Sequence, residues 1–183
     1  MHTVKDALAH ISQPQPVQVG WQSPGELSQQ VQIDALPPVL VLHLERFLYD
    51  AAADGIVKIN KPIQFAPELE IPLGTIFSFA FSVLAKAKNP PCPAAPVAGN
   101  SVEPVHYKLY GVLYHHGEST DSGHYTVDVL HPNRDGGSGE SWLHIDDEAV
   151  GAVRHEEVFG NEQVDDRCAY ILFYCCTASA QTL

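Results

Sequence analysis

Positive charge is scarce in this chain. Ten lysines and arginines stand against 22 aspartates and glutamates, giving a formal net charge of −12 over 183 residues. A surface of that sign repels phosphate backbones, so nucleic acid is not expected as a partner. It suits a partner with basic groups, or it serves solubility alone. Long apolar runs are missing too. None approaches the roughly 20 residues that span a bilayer, so no membrane segment is expected. The opening residues, MHTVKDALAHIS, lack the basic-then-apolar layout of a secretory leader. The expected setting is soluble and cytoplasmic, with the nucleus as a second compartment. Cysteine is sparse: Cys92, Cys168, Cys175 and Cys176, with no CxxC pair. That argues against a cysteine zinc site and a disulfide scaffold, and it fits a reducing compartment. Cys175 and Cys176 close an apolar run and read as packing residues. Internal repeats are absent.

What is present has globular composition. Hydrophobic residues make up 45% of the chain and charged ones 17%, enough for one domain with a real core. Thr3-Val-Lys-Asp6 resembles a capping box with Asp in the Glu position, opening a short helix to about His10. Ile11–Glu26, with three prolines and two glycines, reads as mostly loop, and Leu27–Asp34 as a strand. Val39–Tyr49 is the strongest apolar segment, β-branched and aromatic, and predicts a central strand. Asp50–Gly55 reads as a turn before a short strand, IVKI. Lys61–Pro72 is extended because its three prolines forbid a long helix. Phe77–Ala87 fits strand or helix alike. Asn89–Ser101, rich in Pro and Ala, reads as a flexible insertion.

The second half is strand-rich. His106–Gly117, His124–Leu130, Ser141–Asp146 and Cys168–Cys176 all read as strands, with a helical turn within Ala152–Gly160. Many strands with few helices predict an antiparallel sheet in an α+β domain.

His124–Leu130 and Ser141–Asp146 flank HPNRDGGSGE, a turn-forming gap, and predict a hairpin. Tyr125, Val127 and Val129 share one face of the first strand; His124, Thr126 and Asp128 share the other. On the second strand Leu143 and Ile145 oppose Trp142, His144 and Asp146. Matching apolar to apolar fixes which faces coincide, because a one-residue slip would exchange them. Centring the turn near Asp135 then pairs Tyr125 with Ile145, Val127 with Leu143, and His124 with Asp146. A carboxylate so placed would orient the imidazole and stabilise its cation, as in a catalytic triad. Gly123 permits a bend and the close approach of another backbone. Against this stands the plainer reading of His124 as an exposed strand-end residue. A metal cluster of His115, His116 and His124 has no supporting spacing.

At this point a family resemblance enters. "LPPVLVLHLERF" (Leu36–Phe47), "YKLYGVLYHHG" (Tyr107–Gly117), "GHYT" (Gly123–Thr126), "WLHIDDEAV" (Trp142–Val150) and "AYILFY" (Ala169–Tyr174) follow the order found in ubiquitin-specific proteases. With VKDAL ahead of them, they are most like the ubiquitin carboxyl-terminal hydrolase 10 subgroup. The resemblance implies a papain-like cysteine protease fold of thumb, palm and fingers, of which this chain supplies mainly the palm sheet. The partial catalytic domain would run over residues 1–176, with an insertion at about 88–102 and a tail at 177–183. The implied reaction is hydrolysis of the peptide or isopeptide bond after the ubiquitin C-terminal Gly-Gly, without metal or cofactor. The implied catalytic residues are His124 as general base and Asp146 as its anchor, with Asp147 in support. Ser122, Gly123 and Tyr125 would face the substrate, with small residues admitting the narrow Gly-Gly tail. Ubiquitin and ubiquitinated proteins are the implied partners.

One departure matters. The family's nucleophilic cysteine lies in an N-terminal box ahead of the LPPVLVLHLERF block, and every cysteine here lies at position 92 or later. The resemblance therefore implies that an N-terminal thumb segment supplies the sulfur and packs on this chain, which alone should not hydrolyse ubiquitin conjugates. An apolar patch beside His124 is then expected. The alternatives are a catalytically inactive ubiquitin-binding or scaffold module, and an unrelated β-rich interaction domain. Glu45 replaces a lysine common in the family and sits in a strand, where little is expected of it.

Overall fold

The structure, a computed structural model, describes residues 3–17, 27–29, 33, 36–71, 104–119, 122–132, 140–159 and 167–177. The insertion, Phe77–Ala87 and Cys92 lie outside the described residues.

Helix α1 spans Val4–Ile11. Thr3 caps it: its Oγ1 accepts from the Asp6 backbone N–H at 3.0 Å, and Asp6 accepts from the Thr3 N–H at 3.3 Å. This is the reciprocal box that the sequence predicts, with the shorter Asp reaching far enough. Val4 is buried, and Leu8 packs against the core. Two short strands follow, β1 (Gln15–Val17) and β2 (Leu27–Gln29), paired antiparallel. The segment expected to be mostly loop thus contributes three residues to a ladder.

The main body is a seven-stranded antiparallel sheet. Its strands are β3 (Val39–His43), β6 (Glu68–Ile71), β7 (Val105–His116), β8 (His124–Pro132), β9 (Glu140–Asp146), β10 (Ala149–Val153) and β11 (Cys168–Cys176). The order runs β10-β9-β8-β7-β11-β3, with β6 also pairing with β7. A separate hairpin joins β4 (Phe47–Asp50) to β5 (Gly55–Lys58). Helix α2 (His155–Phe159) fills the helical turn expected near Ala152–Gly160.

The strand expected to be central is not. β3 ends at His43 and lies at the edge of the sheet, with Val39 and Val41 each about half exposed. Leu40 and Leu42 turn inward onto the core. Arg46 lies in the break between β3 and β4 and is buried. Its Nε donates to the Ala169 carbonyl at 2.9 Å and its Nη1 to the Lys61 carbonyl at 2.5 Å. A buried guanidinium needs such acceptors more than the chain needs a continuous strand.

The core lies on one face of the sheet. Val105, Tyr107, Leu109, Val112 and Tyr114 of β7 meet Ala169, Leu172 and Tyr174 of β11, all essentially inaccessible to solvent. Tyr107 and Tyr174 satisfy their hydroxyls on the Pro37 and Ala66 carbonyls. Burial pushes the Tyr107 phenol up to about 12, aided by nearby Cys175. Cys168 and Cys175 carry free thiols. Cys176 packs against the core. Cys175 is exposed rather than packed. No helix among the described residues is long and apolar enough to cross a membrane.

Candidate active site

His124 opens β8 and Asp146 ends β9. The imidazole Nε2 and the Asp146 Oδ1 lie 2.5 Å apart, each side chain a little under half exposed. The contact holds, but the register differs from the expected one. Val127 pairs with Ile145 and Val129 with Leu143, a shift of two residues along β9. A shift of two leaves every side chain on its face, so His124 reaches Asp146 along a diagonal of the ladder instead of straight across.

The turn after Asp146 brings in a second carboxylate. β9 and β10 are joined by Asp147 and Glu148 alone, since Asp146 pairs with Ala149. Asp147 takes a left-handed φ of 49°, a conformation Asp tolerates better than most residues. One polar atom from each of His124, Asp146 and Asp147 falls within a 4.8 Å cluster. The His124 imidazolium is accordingly favoured. Its pKa is raised first by the hydrogen bond to Asp146, against the effect of desolvation, and then by the charges of Asp146 and Asp147. With Nε2 held by the carboxylate, Nδ1 is the ring nitrogen left to exchange a proton with a reactant. His116 stands beside this pair, its ring 5.8 Å from that of His124 and its Nε2 2.9 Å from Thr126 Oγ1.

His115 lies on the other side of the sheet. Its ring is buried edge-on among Phe47 and Tyr125, with centroids at 5.3 and 5.0 Å, and beside Tyr170 at 6.2 Å. His115 is therefore set apart from His116 and His124, which lie on the opposite face. Gly123 is pressed on this ring: a Cβ there would stand 2.1 Å from His115 Nε2. The side chain that position 123 cannot carry is thus excluded from within the protein. Tyr125 packs its ring with His115 and Tyr170, away from the His124–Asp146 pair, while Ser122 and Gly123 are exposed next to His124. Lys58 of β5 donates its ammonium to the carbonyls of His115 and Gly117, tying the β4–β5 hairpin to the loop that leads into β8.

Neither described free thiol serves His124. Cys168 is buried and donates to the His115 carbonyl at 3.6 Å, and Cys175 donates to the Cys176 carbonyl at 3.7 Å. Among the described residues, the exposed large apolar side chains include Tyr125, next to His124 in the chain, and Val150, paired with Ile145 beside the Asp146–Asp147 turn; Val39, Val41, Leu48, Tyr49 and Ile56 belong to β3 and the β4–β5 hairpin. Sequence alone does not signal the burial of Arg46, His115 or Asp128. The one signal for Asp128 was its place on the polar face of β8.

A family profile described as "Ubiquitin carboxyl-terminal hydrolase" matches residues 4–174. Probable ubiquitin carboxyl-terminal hydrolase 3 of Schizosaccharomyces pombe is 36% identical over 186 residues, covering 95% of this chain and 31% of the relative. Ubiquitin carboxyl-terminal hydrolase 10 of Rattus norvegicus is 35% identical over 177 residues, covering 95% of this chain and 19% of the relative. Among solved structures, a chain of the SAGA Ubp8/Sgf11/Sus1/Sgf73 DUB module bound to ubiquitin aldehyde superposes with a TM-score of 0.66 at 22% identity. That match covers 96% of this chain and 34% of the other, and at such identity it shows the fold alone. The chain spans about a third or less of the length of each of these proteins.

Proposed function

The chain belongs to the ubiquitin carboxyl-terminal hydrolase family, and we propose that it supplies the general base and its anchor to a thiol-dependent deubiquitinase. The bond cleaved is the peptide or isopeptide bond after the ubiquitin C-terminal Gly-Gly. The observation that carries this reading is the 2.5 Å contact between His124 and Asp146.

In this mechanism Nδ1 of His124 takes the proton of a cysteine thiol delivered by an N-terminal segment. The thiolate attacks the glycine carbonyl carbon, and the imidazolium returns its proton to the departing amine. Water, deprotonated by the same nitrogen, then releases the acyl group. Asp146 holds the ring in the tautomer that leaves Nδ1 free to accept. Asp147 adds negative charge that favours the imidazolium. Ser122, Gly123 and Tyr125 border the approach of the ubiquitin tail, and ubiquitin conjugates are the substrates.

The structures of the SAGA module bound to ubiquitin aldehyde support ubiquitin as a partner by fold likeness. The test is reconstitution. This chain is mixed with the cysteine-bearing N-terminal half of the Schizosaccharomyces pombe relative's domain and a ubiquitin–fluorophore substrate. Turnover is expected from the mixture and not from the chain alone. His124→Ala in the mixture should lower it by about 10³-fold or more. Turnover by the mixture that survives His124→Ala would refute the assignment.

A further inference from the structure

The β8–β9 ladder contains a hydrogen-bonded carboxylate–imidazole pair, its carboxylate wholly buried, that the mechanism does not use. Asp128 is wholly buried. Its Oδ1 meets His144 Nδ1 at 2.6 Å, and its Oδ2, without a hydrogen bond, faces Arg167 Nη1 at 3.8 Å. Arg167 is itself fixed, stacked 4.8 Å over the Tyr114 ring and donating to the Glu157 carbonyl. Asp128 and His144 are direct partners across the ladder. The residues flanking them in the same row are Val112 on β7 and Gly151 on β10, which bring no competing charge. Among the described residues, the charged or titratable groups nearby on this sheet face include Tyr114, His116, His124, Glu140 and Asp146, with Arg167 over the Tyr114 ring and bonded to the Glu157 carbonyl.

The apolar face of the hairpin fixes the register only in part. Val127 and Val129 pack against Ile145 and Leu143 as the strands stand; a two-residue slip keeps every side chain on its face and one valine against leucine or isoleucine, while the other valine would meet Ser141 or Asp147. The polar face does not tolerate the same slip. In one direction Asp128 would face Trp142, whose bulky indole would take the place of the imidazole. In the other it would face Asp146, setting two carboxylates together. Only the observed register sets Asp128 opposite His144, whose Nδ1 lies 2.6 Å from its Oδ1. The same register places Asp146 on the diagonal from His124.

We propose that Asp128 and His144, backed by Arg167, are positioning residues that lock the register of β9 on β8 and thereby set Asp146 against His124. The pair is a selector among alignments that keep every side chain on its own face of the hairpin. The inference rests on the reading of His124 and Asp146 as the working pair. Its test involves no hydrolysis, so its failure is distinguishable from a failure of that reading.

The test uses NMR on this chain. Cross-strand Hα contacts report the register, and the titration of the His124 ring reports its distance from Asp146. His144→Gln keeps a donor toward Asp128 and should preserve both readouts. His144→Leu should lower the His124 pKa by about one pH unit, as expected when an ion-pair partner withdraws. The double variant Asp128→Leu with His144→Leu leaves no buried carboxylate to strand, so it decides the matter if His144→Leu fails to fold. It should show cross-strand contacts of more than one register. A double variant with the single native register and an unchanged His124 titration would overturn the proposal. So would an unfolded double variant, because the pair would then supply stability and not register.

Discussion

The ring of His115 occupies the space that a side chain at Gly123 would need, leaving only 2.1 Å between Nε2 and a Cβ built there. The residue before the proposed base is therefore set by a buried histidine on the far side of the sheet. Gly123→Ala should destabilise the fold by about 1–3 kcal/mol, the usual cost of overpacking a filled site. Replacing His115 by Ala in the same molecule should restore part of that loss. A double-mutant cycle by urea denaturation would show coupling of about 1 kcal/mol or more. Strict additivity would mean that the clash is relieved by backbone movement.

Asp146→Asn should lower the His124 pKa, because the hydrogen-bonded carboxylate is the first cause of its elevation. The sign for stability follows from that direction. The folded-state pKa lies above the unfolded one, so the pair stabilises the fold fully below about pH 6.5, the ordinary histidine value. The contribution fades as pH rises through the elevated folded value. Denaturation midpoints of native and variant chains should differ in mild acid and converge in alkali. Divergence that grows with pH would contradict the assignment.

Arg46 offers a test of the break between β3 and β4. Its removal strands the buried carbonyl of Ala169, worth about 1–3 kcal/mol if left unsatisfied, and takes a donor from the more exposed carbonyl of Lys61. Arg46→Met should lower the unfolding free energy accordingly. Arg46→Lys should recover little, since one ammonium cannot reproduce a planar fork aimed at two acceptors. Thermal or chemical denaturation distinguishes the three proteins.

Glu157 guards the start of α2. It accepts from the Arg154 backbone N–H at 2.9 Å and from the Arg154 guanidinium at 2.9 Å. These contacts hold its carboxyl near a pKa of about 2, first through the side-chain hydrogen bond. Its depressed pKa means that the stabilisation is present above the ordinary carboxylate range and is lost as pH falls toward 2. Glu157→Gln should therefore raise amide exchange in α2 at neutral pH, with the difference vanishing in strong acid.

Much of this site was legible because strands have a period of two. Alternation alone placed His124 and Asp146 on one face, and that conclusion survived an error of two residues in register. The error had a physical cause. A shift of two keeps every side chain on its face, so alternation cannot detect it, and the burial of Asp128 against His144, which favours one alignment, is not displayed by one sequence. β3 was misjudged as central for a related reason: apolar content signals contact with a core, not rank within a sheet, and two of its valines face outward. The contact between His115 and Gly123 joins residues on either side of a loop, and no periodicity connects them.

The two-residue reversal at Asp147 and Glu148 leaves no slack between the proposed anchor and the next strand. An inserted residue there would swing Asp146 off its diagonal, whereas the longer connection from Pro132 to Glu140 can change length while the pairing stays put. Drift in loop length among kindred proteins should accordingly collect at one end of β9 and be purged at the other.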